Sequence, residues 1–276
     1  MDTLHVASVT KSVLSALIGI AIDKGFIKSV EQKVLDFFPE YEITENKLKK
    51  QQITIKHLLT MTAPYSYKRE PFKELCCSPD WAKFALDLLG GKDEIGKFKY
   101  STAGAHLLSV IITRSTGKSV REFANEYLFK PIGMKQLPNY EMTIATYMKF
   151  IKGKHVTGWV SDPKGNNTGG WGLTLTPQDM ARFGYLYLRE GVWYHKQIIP
   201  VQWIKESTAM NPNHYGYLWW LFDEGEFAYC ALGDGGNVIC CLPEKDMVIT
   251  IASEFMMRPK DRMKFIKDYI LSALID

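Results

Sequence analysis

The chain has 276 residues, 46% of them hydrophobic and 23% charged, with a formal net charge of +4. That composition belongs to a soluble globular protein able to bury a large core, and it excludes a disordered or fibrous chain. Lys47, Lys49, Lys50 and Arg258, Lys260, Arg262, Lys264 lie among acidic residues or at helical spacing, the pattern of a solvated face and not of a nucleic-acid surface. Five cysteines form two adjacent pairs, Cys76-Cys77 and Cys240-Cys241, with Cys230 alone. No C-x-x-C or zinc spacing occurs, so they read as reduced thiols in a cytoplasmic protein, with no metal or cofactor implied.

In chain order, Ser8-Val9-Thr10-Lys11 opens an apolar run through Val13, Leu14, Leu17, Ile18, Ile20 and Ile22. Apolar residues all round predict a buried helix from Ser8 to about Lys24, with Gly25 at its end. A serine and a lysine three apart project from one helix face, so hydroxyl and amine can share a proton. This is the S-x-x-K nucleophile pattern, and at a helix N-terminus the backbone dipole favours developing negative charge. A rival reading takes Val13–Ile22 as a secretory h-region cleaved near Gly19-Ile20-Ala21. Asp2, a single preceding lysine and the Asp23-Lys24-Gly25 ending oppose it, and a bilayer span needs about 20 apolar residues.

Val30 to Tyr41 follows, with a stop at Pro39; then Thr54 reads as the N-cap of a short helix through Leu59. Pro64, Pro71 and Pro79 punctuate an irregular segment before helical periodicity resumes from Trp81 to Leu89. Tyr100-Ser101-Thr102 precedes an apolar helix over Ala105–Arg114 closed by Gly117, and another helix runs from Ser119 to Leu128. The glycine-rich stretch Tyr140–Gly172 reads as a long loop, a common place for function. Thr176-Pro177 starts a helix through Arg189, and Pro200 to Met210 is one more. Strands are expected over 215–222, 227–232, 238–242 and 247–252, in consecutive antiparallel pairing, before a final helix Pro259–Leu274. The fold class is therefore α+β, organised as one two-lobed unit over 1–276: a mostly helical lobe at 8–211, and an antiparallel sheet with its covering helix at 212–276.

Three signals, Ser8-Val9-Thr10-Lys11, Tyr100-Ser101-Thr102 and Gly233-Asp234-Gly235-Gly236, occur in an order that resembles the serine β-lactamase and penicillin-binding-protein superfamily. The likeness is to the class C β-lactamase-like branch, which includes esterases, D-aminopeptidases and nylon-oligomer hydrolases. Ile53–Thr62, Lys130-Pro131-Ile132-Gly133-Met134, Gly170–Ala181 and Leu242-Pro243-Glu244-Lys245-Asp246 extend the likeness over nearly the whole chain.

The resemblance implies that Ser8 attacks a carbonyl to form an acyl-enzyme that water hydrolyses, with Lys11 or Tyr100 as general base. Without that frame, Tyr100 reads as a core aromatic flanking a helix. The backbone N–H groups of Ser8 and Asn237 would form the oxyanion hole. Thr102, Trp171, Asp234, Gly235 and Gly236 would line the substrate site, and Trp171, Trp219, Trp220, Tyr215 and Tyr217 are candidates for an apolar acyl pocket.

Two residues depart from the pattern. Asp234 stands where the third motif usually has Lys or His, and two carboxylates repel by about 4 kcal/mol at ~4 Å in an effective dielectric of about 20. This disfavours β-lactams and D-alanyl-D-alanine peptides. Thr102 replaces a common Asn, and no residue is assignable as a deacylation glutamate. Only seven residues precede the nucleophile, so N-terminal strands of the sheet are expected to be missing, and the unpaired edge calls for a longer natural chain, a shielding final helix or, as the working hypothesis, a partner chain. The leading expectation is a serine hydrolase acting on a small ester or amide, with neither nucleic acid nor membrane as partner. Its rivals are a non-catalytic binding or scaffold member of the same fold and a D,D-peptidase or β-lactamase.

Overall fold

The computed structural model describes residues 3–153 and 155–274. Its centre is helix α1 (Val9–Asp23), every residue of which from Val9 to Ala21 is buried. The all-round apolar pattern leaves no face for solvent, and α1 accordingly packs on helices on one side and on sheet strands on the other. Ahead of it, β1 (Leu4–His5) pairs antiparallel with residues 174–175. Gly25, at φ +76°, turns the chain away after α1.

Helix α2 (Ile55–Leu59) starts at Thr54, whose hydroxyl and His57 form a reciprocal capping box. The segment read as irregular contains a further helix, α3 (Phe72–Cys77), ahead of α4 (Trp81–Leu88), which Asp80 caps. Helix α5 (Thr102–Thr116) lies beside α1 and ends at Gly117, φ +69°. Helix α6 (Val120–Ala124), capped by Ser119 with Glu122, runs on through a wider turn to Phe129. Between Val30 and Tyr41 only one short turn of helix forms, at Val34–Phe37.

The expected loop 140–172 is more ordered than its glycines imply. Strand β2 (Asn139–Glu141), helix α7 (Ile144–Lys152) and strand β3 (Trp159–Ser161) make a small crossover whose strands pair in parallel, Tyr140 opposite Val160. The chain continues through β4 (Thr174–Leu175), α8 (Pro177–Leu188), capped by Thr176, and α9 (Val201–Ser207).

The main sheet is the expected antiparallel meander: β5 (Trp220–Phe222), β6 (Ala228–Gly233), β7 (Asn237–Leu242) and β8 (Met247–Ile251) stand in sequence order. One face joins the core shared with α1 and α5, and the other carries a smaller apolar cluster under the C-terminal helical segment 262–274. β8 pairs with β7 alone, so its outer edge has no neighbouring strand among the described residues. Cys230 and Cys240 face each other across β6 and β7 as buried free thiols. No described helix is long and apolar enough to cross a membrane.

Candidate active site

Ser8 stands at the N-cap of α1 without using its side chain as a cap, which leaves the hydroxyl for other work. The preceding Ala7 sits at φ +46°, a left-handed conformation that a residue with a Cβ adopts at a cost. This bend sets Ser8 at the helix start, and among the described residues no acceptor meets its backbone N–H. Three residues on, Lys11 is 1% exposed. Its ammonium donates to Ser8 Oγ at 3.0 Å and to the Gly170 carbonyl at 2.7 Å, and lies 3.5 Å from Thr102 Oγ1. Three oxygens thus face the three N–H donors of one amine, and among the described residues no carboxylate pairs with it.

Tyr100 is brought to this pair, but by its ring: Lys11 Nζ lies 4.8 Å from the ring centroid, a cation–π contact. The ring stacks on Trp220 and meets Tyr215 edge-on, and among the described residues nothing accepts from or donates to the Tyr100 hydroxyl. Ser101 caps α5 through Gly104 N–H at 3.0 Å, which fixes the residues on either side of it, Tyr100 and Thr102.

Glu70 is a site residue that sequence reasoning missed. Its carboxylate accepts from Ser101 Oγ (3.0 Å), Thr102 N–H (3.0 Å) and Ala103 N–H (2.7 Å), so an anion occupies the positive end of α5 beside the second motif. Its neighbourhood is punctuated by prolines and lacks periodicity, so no sequence signal separated it from other surface acids.

Gly169 and Gly170 are required by close approach. A Cβ on Gly169 would fall 2.0 Å from the Ala105 carbonyl, and one on Gly170 would fall 2.5 Å from Thr102 Cγ2. The neighbouring Gly172 N–H donates to His5 Nε2 at 3.2 Å. Burial pushes the His5 imidazole down to about 4, so it is neutral and able to accept this bond.

The third motif is the hairpin between β6 and β7. A Cβ on Gly233 would lie 2.2 Å from the Val6 carbonyl, so the turn is clamped against the chain that leads into Ser8. The Asn237 backbone lies in the ladder opposite Gly233. Its side chain donates to the His5 carbonyl at 3.3 Å and accepts from Ser253 N–H at 3.0 Å, a tether the sequence did not reveal. Asp234 is exposed and folds its carboxylate onto Gly235 N–H at 2.9 Å; among the described residues no acceptor meets its own backbone N–H. Behind the turn, the Arg262 guanidinium lies against Gly236, where a Cβ would come within 2.9 Å of it, and forms no ion pair among the described residues.

Trp219, Tyr215 and Tyr217 are buried core residues, and Trp220 is half-buried behind Tyr100. Trp219 packs between α8 and the sheet on Phe183, Tyr187 and Tyr229, Tyr215 and Trp220 pack with Phe98 and Tyr100, and Tyr217 packs on Trp203. Trp171, 6% exposed, packs on Phe72 and Trp81, and these two also line a cavity of about 780 Å³. Beneath it, buried His106 and Asp162 pair at 3.1 Å.

The Beta-lactamase family model matches residues 3–265. An uncharacterized protein of Alkalihalophilus pseudofirmus is 25% identical over 264 residues, covering 88% of this chain and 71% of that protein. A Bacillus anthracis structure proposed as a 6-aminohexanoate-dimer hydrolase superposes with a TM-score of 0.74 at 20% identity, covering 99% of this chain and 72% of the other. The octameric penicillin-binding protein homologue from Pyrococcus abyssi gives 0.72 at 20% identity, covering 98% and 66%.

Proposed function

Because the chain belongs to the beta-lactamase family, we propose that it is a serine hydrolase that cleaves a small ester or amide through an acyl-enzyme on Ser8. The observation that carries this reading is the 3.0 Å contact between Ser8 Oγ and a buried Lys11 amine anchored on the Gly170 carbonyl. In its neutral form, a buried amine in hydrogen-bond reach of a helix-cap hydroxyl can turn its lone pair to that hydroxyl and take the proton as oxygen attacks the carbonyl carbon. The same amine can return that proton to the leaving group, and later take one from the water that releases the acyl group. Lys11 is favoured over Tyr100 as the base because it hydrogen-bonds Oγ, while Tyr100 offers the amine its ring face and shows no hydrogen bond to Oγ among the described residues.

Negative charge on the attacked oxygen would develop beside the Ser8 N–H at the start of α1 and beside the Gly233–Asn237 turn. On that turn Asn237 is the donor read from the motif, and the Asp234 N–H is the one without an acceptor among the described residues. The exposed Asp234 carboxylate disfavours substrates with a carboxylate next to the scissile bond.

The test is incubation with a fluorophosphonate followed by intact-mass measurement. One adduct is expected on the wild type and none on Ser8→Ala; a wild type that stays unlabelled and hydrolyses no p-nitrophenyl ester would sink the proposal in favour of a non-catalytic binding member.

A further inference from the structure

The hydrolase reading leaves open what kind of substrate is held, and the cavity beside Trp171 bears on it. Lys11 Nζ rests on the Gly170 carbonyl at 2.7 Å, and the next residue is Trp171. The Trp171 ring meets Phe72 edge-on, with centroids 5.5 Å apart, and stacks on Trp81 at 6.3 Å. Phe72 and Trp81 turn their other surfaces to the cavity of about 780 Å³, which Cys76, Met142 and Tyr147 also line. A second path links the same two places. Glu70 accepts from Thr102 N–H at the edge of the catalytic cluster, and Phe72 on the cavity wall is two residues further along. Two residues span at most ~7 Å, so this wall of the cavity stays close to the second motif.

The cavity is walled by Phe72, Cys76, Trp81, Met142 and Tyr147, and Trp81 Nε1 is buried without a partner among the described residues. Asp162 at its floor is buried and held by His106 at 3.1 Å and by the Asn166 N–H at 2.8 Å, so it demands nothing from a guest. Lys73 and Glu141 are exposed at the rim, one of each sign, and select no net charge. The volume lies within the range of small-molecule sites.

We infer that this cavity is a subsite for an apolar arm of the substrate, so that the preferred substrates are esters or amides carrying a medium-length alkyl or an aryl group. The inference rests on the hydrolase reading for its reaction and on the cavity alone for its binding. Each methylene moved from water into such walls contributes about fourfold to kcat/KM.

Two homologous series of esters, one lengthening the acyl chain and one the alcohol, test it on wild type, Cys76→Trp and Met142→Trp. In one series kcat/KM is expected to climb at least 30-fold from two to six carbons. Both filled variants should lose at least tenfold on the long substrate and stay within twofold on the short one. Profiles that are flat in both series, or unchanged in both filled variants with melting temperatures kept, overturn the subsite. Octanamide, which need not turn over, is titrated against tryptophan fluorescence of wild type and Ser8→Ala. Saturation in both, weakened tenfold by Cys76→Trp, supports the subsite even if no fluorophosphonate adduct forms, in which case only the hydrolase reading fails. A fluorophosphonate adduct with no octanamide saturation overturns the subsite and leaves the hydrolase reading standing.

Discussion

At the junction of α1 and α5, oxygens meet the Lys11 amine on three sides, and Glu70 and Ser101 take up the first N–H groups of α5. Across the cleft, the Gly233–Asn237 turn combines glycines at φ +83° and +102° with an exposed Asp234, and is held from behind. Gly233 abuts Val6, and the Asn237 amide reaches His5. The half of the site to which we assign proton transfer is therefore built into buried helices, whereas the half we assign to the developing oxyanion depends on backbone contact with residues 5–6. Removing the Lys11 amine from the first should abolish chemistry with the fold intact. Breaking the second should loosen geometry and stability together.

The largest effect is expected at Lys11. Lys11→Met should lower kcat on a p-nitrophenyl ester by about 10³-fold, the range for loss of a general base. Tyr100→Phe should stay within about tenfold, because the hydroxyl has no partner among the described residues. Steady-state kinetics on both variants decide the matter, and equal losses would move the base assignment to Tyr100.

On the other side of the cleft, Gly233→Ala forces a Cβ toward the Val6 carbonyl, and neither backbone can yield freely. It should cost about 1–3 kcal/mol of stability, as overpacking does. It should also lower kcat by about 10²-fold, since a displaced turn costs roughly what removal of an oxyanion donor costs. Denaturant melts and kinetics on one preparation separate the two losses. Retained activity with lowered stability would show that the turn is only structural.

These contrasts also mark what was legible in the chain. α1, α2, α5 and α8 were readable because their ends carry local chemistry: Ser8, the Thr54–His57 box, Ser101 with Gly117, and Thr176-Pro177. The meander was readable because turn residues separate its strands. α3 was hidden by flanking prolines, and the β2–β3 pair by strands of three residues each whose partner is non-local. Nor does aromatic identity report burial: Trp219 is core, while the cavity is framed by Phe72, Trp81 and Tyr147. Asn237 was read for its backbone because the motif concerns backbone, and its side-chain tether becomes visible only when residues 232 positions apart meet.

The tether region has a pH signature. His5 is buried and neutral, its pKa lowered from 6.5 to about 4 by desolvation. Between those values the unfolded chain binds a proton that the folded chain refuses. Stability is therefore complete above pH 6.5 and declines as pH falls toward 4, by about 3 kcal/mol in total. His57, also lowered by burial, contributes with the same sign. His5→Gln isolates the first share. It should flatten the pH dependence of urea midpoints between pH 6.5 and 4, and an unaltered slope would show that His5 is not the responsible group.

The smallest expected effect tests how firmly the second motif is seated. Glu70 Oε1 accepts from Ala103 N–H, Ser101 Oγ and Tyr67 Oη, and Oε2 accepts from Thr102 N–H. In Glu70→Gln the amide oxygen can replace Oε1, which leaves the NH₂ facing the Thr102 N–H. One hydrogen bond is lost, two donors oppose each other, and the anion at the start of α5 disappears. The expected cost is about 2 kcal/mol. Thr102 lies 3.5 Å from the Lys11 amine and touches it only weakly, so kcat should fall by no more than severalfold. A large loss of kcat at unchanged melting temperature would instead assign Glu70 to the chemistry, because a carboxylate that only seats a helix cannot change rate without changing stability.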